Sequence, residues 1–328
     1  ASPYYEYLEN EVDTVHFGAG AMKRLAKIMM DGLADQTNCS EVTTDWSSFD
    51  ATVPNWLLDE AFEIIWDSFD NKYTLHDEFD GSQPTLVFGG DVMETKNRKL
   101  FDWLKNYFMY TPLMMPDAKV LKKMHGIPSG SFFTQCVGSI VNYIVIRAID
   151  HYLGLQGRRF RVLGDDSSFL IPSFSDPRVD AGKISDFAWK HFGLVMKESK
   201  FRKTRTQSER KFLGYQVEGY RFIRPTVEWF KMVLYPERDV QYLEQSASRV
   251  FAYYLLGGCN DEDYSKFFRQ FFRHYPQICG KVLPLTKGLK RLFRFVLRHP
   301  IKSIQTPDLE SLDLCFIPYV LSLGDSMY

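Results

Sequence analysis

Asp45, Asp165 and Asp166 are the residues of this chain best suited to chemistry. Asp45 follows the Thr- and Val-containing run SEVTT, which reads as a short strand. Asp165 and Asp166 lie between two strand-like runs, RFRVL at 159–163 and SSFLI at 167–171, and so stand at a hairpin tip. If those strands are neighbours, three carboxylates converge at one edge of a sheet. Such a cluster repels itself and needs cations or raised pKa values to be tolerated. Its hard oxygen donors suit Mg²⁺, with Mn²⁺ as an alternative, and Mg²⁺ takes few protein carboxylates plus substrate phosphates. Two such ions about 4 Å apart can clamp an in-line phosphoryl displacement. Taken singly, each Asp also has a plain explanation, because Asp is favoured in turns.

Two further features weigh against three separate turns. Asp50 stands five residues after Asp45 in DWSSFD, and GIPSGSFFTQCVGSIVN covers 126–142. A Ser-Gly pair entering a helix offers a hydroxyl and backbone N–H groups to an anion or a sugar. Thr134 falls one turn in, on the side of Gly130 or Ser131 by helical spacing. The competing role for Ser129 is a simple helix N-cap.

The elements that must position these groups mix strands and helices without steady alternation, which predicts an α+β fold. A strand is expected over 40–46 and a helix from Pro54 through NWLLDEAFEIIWDSF. Residues 71–93, with Gly81, Pro84 and Gly89-Gly90, read as irregular, and 94–108 as helix. A strand over 118–124, a long apolar helix over 131–152, a helix over 181–192, a strand near 194–200 and a hairpin near 211–223 follow. Beyond about 237 the pattern is mostly helical. A helix is also expected over 19–33.

Composition narrows the class. The chain has 328 residues, 45% apolar and 25% charged, with net charge −1. That excludes a disordered tail or a collagen-like rod, and no apolar run reaches bilayer-spanning length, so no membrane is expected as a partner. The chain opens on Ala1 without a signal pattern, which suggests a fragment or a processed product. Five scattered cysteines, never in CxxC spacing, argue against a disulfide framework or a zinc site and for a reducing compartment. Charge is segregated: 197–211 carry seven Lys/Arg against two Glu, 280–302 carry seven Lys/Arg and no acid, and 57–80 carry eight acids and one Lys. Any single run reads first as a solvated face, but together they suit a protein that holds a polyanion.

DWSSFD, then SGSFFT…N, then GDD, in that order, resembles the A, B and C motifs of viral RNA-dependent RNA polymerases. The surrounding wording, with FLGY at 212–215, resembles the partitivirus and picobirnavirus branch of double-stranded RNA viruses. The resemblance covers about residues 15–236 and implies a right-hand polymerase palm, an antiparallel sheet backed by helices, with partial fingers and a helical thumb. It divides the chain into a fingers remnant and palm entry (1–44), palm with motif A (45–70), a fingers insertion (71–118), palm with motifs B to E (119–236) and thumb (237–328). It implies RNA-directed RNA synthesis on a viral genome, with RNA template and product and ribonucleoside triphosphates as partners, a viral capsid protein as a further one, and the virion interior or host cytoplasm as location.

Residue by residue, the resemblance makes Asp45 and Asp165 the metal ligands and Asp166 an auxiliary one. Asp50 senses the ribose 2′-hydroxyl. Ser129, Gly130 and Thr134 belong to the sugar-reading loop. Lys200 resembles the motif D general acid, with Lys197 competing for the role, and FLGY resembles motif E. The chain departs from the wider S-G-x-x-x-T-x-x-x-N pattern, since Gly138 stands at its last position; either Asn142, one turn later on the same helix face, substitutes as sugar reader, or Asp50 and Thr134 read the 2′-hydroxyl with less help. No basic motif F precedes Asp45, which again suggests a core fragment. On the basic C-terminal helix expected over 285–299, Lys287, Lys290, Arg291, Arg294 and Arg298 would line the RNA exit path. Two other readings remain: a reverse transcriptase-like polymerase, against which Leu163-Gly164 before the Asp pair and Asp50 both speak, and a non-catalytic RNA-binding palm, against which three intact Asp residues speak.

Overall fold

A computed structural model describes residues 39–69, 73–76, 85–88, 90–131, 133–205, 211–212, 214–218, 221–236, 240–255, 257–285 and 303–308. They fall into two compact units, one covering 42–203 and the other taking residues 39–41 together with the described residues after Lys203.

The first unit is built on a four-stranded sheet. In chain order its strands are β1 (Ser40–Thr44), β7 (Arg158–Leu163), β8 (Asp166–Ile171) and β10 (Arg202–Thr204), and their spatial order is β10-β1-β8-β7. β8 lies between two neighbours, and Ser167 through Ile171 are all buried, as a central strand requires. β7 and β8 pair antiparallel with Leu163 opposite Asp166, leaving Gly164-Asp165 as a two-residue turn. A shorter pair, β2 (Trp46–Ser47) with β9 (Val195–Met196), continues from the end of β1.

Helices cover this sheet. After the single turn α1 (Phe49–Thr52), α2 (Asn55–Asp67) starts behind Pro54 and buries Leu57, Leu58, Ala61, Phe62 and Ile65, a stripe at helical spacing. The long α4 (Thr134–Leu153) packs against α2 and β7 and ends at Gly154. α5 (Ala181–Phe192) has the expected bounds because both ends carry stop signals: the Asp180 side chain accepts from the Lys183 N–H, and Gly193 closes the helix. Between α2 and α4 runs α3 (Gly90–Met109), tied to α2 where Glu63 accepts two bonds from Arg98 and one from Lys105, each 2.7 Å.

Several sequence expectations need correction. Within 71–93 the described residues are ordered elements: β3 (Tyr73–His76) and β4 (Thr85–Phe88) pair antiparallel, and α3 begins at Gly90. Four-residue strands carry too little alternation to stand out. The strand expected over 118–124 is β6 (Val120–Lys122), and its partner β5 (Pro112–Met114) went unrecognised. The helix expected over 19–33 and the basic helix over 285–299 lie outside the described residues, except Leu285.

The second unit holds a three-stranded meander, β11 (Lys211–Phe212), β12 (Tyr215–Glu218) and β13 (Arg221–Ile223), where a single hairpin was expected. Phe212 and Tyr215 of FLGY face each other across its first turn. Helices α6 (Thr226–Leu234), α7 (Leu243–Leu255) and α8 (Glu262–His274) bury Trp229, Phe251, Tyr264, Phe268 and Phe272 in one core. Asp261 caps α8 by accepting from the Tyr264 N–H at 2.8 Å. Among the described residues no helix is long and apolar enough to cross a membrane.

Candidate active site

Asp45 lies between β1 and β2, and Asp165 sits in the turn joining β7 to β8. Because β1 and β8 are neighbours, the two reach the same end of the sheet. The register is locked beside them: the hydroxyls of Thr44 and Ser167, next in sequence to Asp45 and Asp166, hydrogen-bond to each other in the interior.

The electrostatics record the convergence. Burial and the neighbouring Asp165 and Asp45 carboxylates push the Asp166 carboxyl up to about 6. Asp165 is also raised, first by desolvation and then by Asp45 and Asp50. Asp165 is exposed at its turn, so this desolvation is partial. Lys200 opposes these effects. Its Nζ donates to Asp45 Oδ2 at 2.5 Å, and this bond raises the lysine's own pKa. Lys200 closes the short 3-10 turn Glu198–Lys200, and the Lys197 N–H donates to the Asp45 carbonyl at 3.3 Å. Of the two lysines weighed for the general-acid role, Lys200 therefore reaches the carboxylates through its side chain.

The loop at 125–131 is stitched to α1. The Ile127 N–H donates to the Asp50 carbonyl at 2.6 Å, and the Gly126 N–H to the Val53 carbonyl at 2.7 Å. Gly126 has φ 86°, and a Cβ there would meet the Asp50 carbonyl oxygen at 2.5 Å, so a side chain is excluded on two counts. The Ser129 hydroxyl donates to Asp50 Oδ2 at 3.0 Å. Ser129 and Gly130 are both exposed on this loop, and Gly130 also has positive φ. Lys123, which sequence reasoning missed, is buried beneath the loop and donates to the Gly126 carbonyl; burial lowers its pKa to about 8.

Three expectations change here. Ser129 is not a helix cap, because α4 starts only at Thr134 behind Phe133. Thr134 opens the helix instead of lying one turn in, and its hydroxyl donates to the Pro128 carbonyl. Asn142, expected as a sugar reader, has its amide engaged by protein groups. It is fully buried, accepts from Trp46 Nε1 at 2.8 Å, and donates to the carbonyls of Gly164 (2.9 Å) and Asp166 (3.3 Å). The exchange of Gly for Asn at 138 moves the amide one helical turn along, and that turn faces the hairpin. Lys287, Lys290, Arg291, Arg294 and Arg298 lie outside the described residues.

The donors suit a divalent cation. Among the described residues no three His, Cys, Asp or Glu side chains form a ready-made metal cage. A cation nonetheless already sits on Asp45 as the Lys200 ammonium, and Asp165 and Asp166 are both raised in part by that same carboxylate. Two or three oxygens open to solvent, completed by phosphates, fit Mg²⁺.

A family model for viral RNA-dependent RNA polymerase matches residues 28–275. The chain belongs to that family. It is 37% identical over 130 residues to the RNA-directed RNA polymerase of Cryptosporidium parvum virus 1, a match covering 38% of this chain and 20% of that protein. It is 24% identical over 246 residues to the non-structural polyprotein 1AB of human astrovirus-1, covering 73% of this chain and 16% of the polyprotein. Among solved structures, an insertion-loop deletion mutant of a human picobirnavirus RNA-dependent RNA polymerase superposes with TM-score 0.59 at 14% identity, covering 100% of this chain and 57% of that one. The polymerase without that deletion gives TM-score 0.57 at 16% identity, covering 83% and 48%. The chain thus spans between a sixth and three fifths of the length of these relatives. The fold is that of an α+β polymerase palm.

Proposed function

We propose that this chain carries the catalytic core of template-directed RNA synthesis on a viral genome, with ribonucleoside triphosphates as substrates and Mg²⁺ or Mn²⁺ as cofactor. The supporting observation is the meeting of Asp45, Asp165, Asp166 and the Lys200 ammonium at one sheet end, beside Asp50 and Ser129. Divalent ions bound there would activate an attacking 3′-hydroxyl and neutralise charge on the triphosphate. Asp45 and Asp165 would hold them, and Asp166 would assist from the first position of β8.

The chain's own groups account for the rest. Asp50, its carboxylate oriented by Ser129, accepts from the ribose 2′-hydroxyl. Thr134 fixes the loop at Pro128, so that Ser129 and Gly130 stay beside the sugar. Lys200, whose Nζ reaches Asp45, would donate a proton to the leaving pyrophosphate. The basic residues Lys287, Lys290, Arg291, Arg294 and Arg298 contact product phosphates, which position without specifying sequence. RNA template, RNA product and a viral capsid protein are the proposed partners, and the virion interior or host cytoplasm the proposed location. The division into fingers, palm and thumb segments expected from the sequence belongs to the same proposal.

Primed extension with rNTP or dNTP tests this reading. Ribonucleotide incorporation dependent on template and Mg²⁺ is expected. Incorporation of dNTP alone would favour the reverse transcriptase-like reading, and none of either, with RNA binding kept, the non-catalytic palm.

A further inference from the structure

Asn142 stands in the middle of α4 among its buried residues and is 0% exposed. A buried carboxamide is costly unless its donors and acceptor are met. Here every partner comes from the two segments that carry the catalytic carboxylates. The indole Nε1 of Trp46 donates to Oδ1 at 2.8 Å. Nδ2 donates to the carbonyls of Gly164 at 2.9 Å and Asp166 at 3.3 Å. Trp46 directly follows Asp45, while Gly164 and Asp166 bracket Asp165.

The orientation of this amide follows from its partners. Turned over, its NH₂ would face an indole N–H and its oxygen would face two carbonyls. Both N–H donors are occupied, so none is left for a sugar. One turn earlier on the same face, the Ser139 hydroxyl accepts from the Gly164 N–H at 2.8 Å and donates to the Gln135 carbonyl at 2.7 Å. The N–H and C=O of Gly164 are thus both gripped from one helix. Thr44 and Ser167 supply a separate link between the same strands.

We infer that Asn142, assisted by Ser139, is a positioning residue that fixes the Asp165 turn against the Asp45 strand end and so sets the affinity of the site for divalent cations, not its choice of sugar. The inference rests on the metal-binding reading of Asp45 and Asp165. The side-chain chemistry is specific. An aspartate of the same shape has no donors for the two carbonyls, and a leucine has neither donors nor acceptor. Residues that orient metal ligands from behind commonly change metal affinity about 10–100-fold when replaced.

The test is Mn²⁺ binding to the purified chain, followed by electron paramagnetic resonance, with the rNTP/dNTP incorporation ratio as a second readout. Asn142→Asp should weaken Mn²⁺ binding by about tenfold. Trp46→Phe, which removes only the indole donor from this contact, should act in the same direction, and the sugar ratio should stay within about twofold for both. If Asn142→Asp fails to fold, Trp46→Phe and Ser139→Ala carry the test. Ile149→Val, which trims the same helix away from the turn, should leave Mn²⁺ affinity unchanged. Unchanged Mn²⁺ affinity in the Trp46 and Ser139 variants, an equal loss in Ile149→Val, or a changed sugar ratio would each overturn the inference. Asp165→Asn separates it from the reading beneath: if that variant binds Mn²⁺ as tightly as the wild type, the metal site itself is misassigned.

Discussion

The Ser129 hydroxyl donates to the Asp50 carboxylate at 3.0 Å, across 79 positions of chain. That bond joins the loop before α4 to the single helical turn α1, where DWSSFD ends, and it leaves the other carboxylate oxygen of Asp50 available to a ligand. Asp50→Ala, and more weakly Ser129→Ala, should therefore lower the preference for rNTP over dNTP. A loss of about tenfold is expected where a hydrogen bond to a substrate hydroxyl is removed. Template affinity should change little. Incorporation assays with matched rNTP and dNTP check this, and an unchanged ratio in Asp50→Ala would remove Asp50 from sugar recognition.

Gly126 tests the same loop through its backbone. Gly126→Ala would force a methyl to 2.5 Å from the Asp50 carbonyl at φ 86°. A loss of about 1–3 kcal/mol in stability is expected from such strain. Any folded population should also show a reduced rNTP/dNTP ratio, because Asp50 must move. A melting curve superimposable on wild type would contradict this geometry.

Lys200 and the divalent cations compete for Asp45, whose Oδ2 holds the ammonium at 2.5 Å. Lys200→Met should slow nucleotide incorporation by about a hundredfold, the usual scale for a lost general acid. It should not weaken Mn²⁺ binding, since it removes a competitor. Reduced Mn²⁺ affinity in this variant would mean that Lys200 organises the site and does not merely occupy it.

The pH dependence follows from Asp166. Its pKa is raised from 3.8 to about 6 in the fold, so the folded state holds that proton more tightly than the unfolded chain. The stabilisation is complete below about pH 4 and is lost as pH rises through about 6. Metal-free protein should therefore melt lower at about pH 7 than this group alone would allow at pH 5, and Asp166→Asn should flatten that fall. Added Mg²⁺ needs ionised carboxylates and should raise the melting temperature more at about pH 7 than at pH 5. Melting curves across that range decide it; equal Mg²⁺ effects at both pH values would place the ion elsewhere.

Local signals made much of the site legible in the sequence. Gly164-Asp165-Asp166 between apolar runs gives a hairpin tip by turn chemistry alone, and Asp180 and Gly193 bracket α5. What stayed hidden was set by long-range packing. The Thr44–Ser167 bond spans 123 positions and the Trp46–Asn142 bond 96, and neither residue type announces such a partner. Asn142 invited a sugar-reading role because motif spacing alone cannot say which way one further helical turn points. The buried Lys123 also gave no signal, since a lysine beside Lys122 reads as surface. Short strands such as β3 and β5 owe their form to their partners more than to their own pattern.

The central claim is that the Asp45 and Asp165 carboxylates, brought to one sheet end, carry nucleotidyl transfer. The most direct measurement is single-nucleotide extension of a primed RNA template with Mg²⁺, comparing wild type with Asp165→Asn and Asp45→Asn. The account predicts that wild type extends the primer and that each variant is slower by about a hundredfold or more, with template affinity within a few-fold of wild type. Extension by Asp165→Asn at the wild-type rate would contradict it.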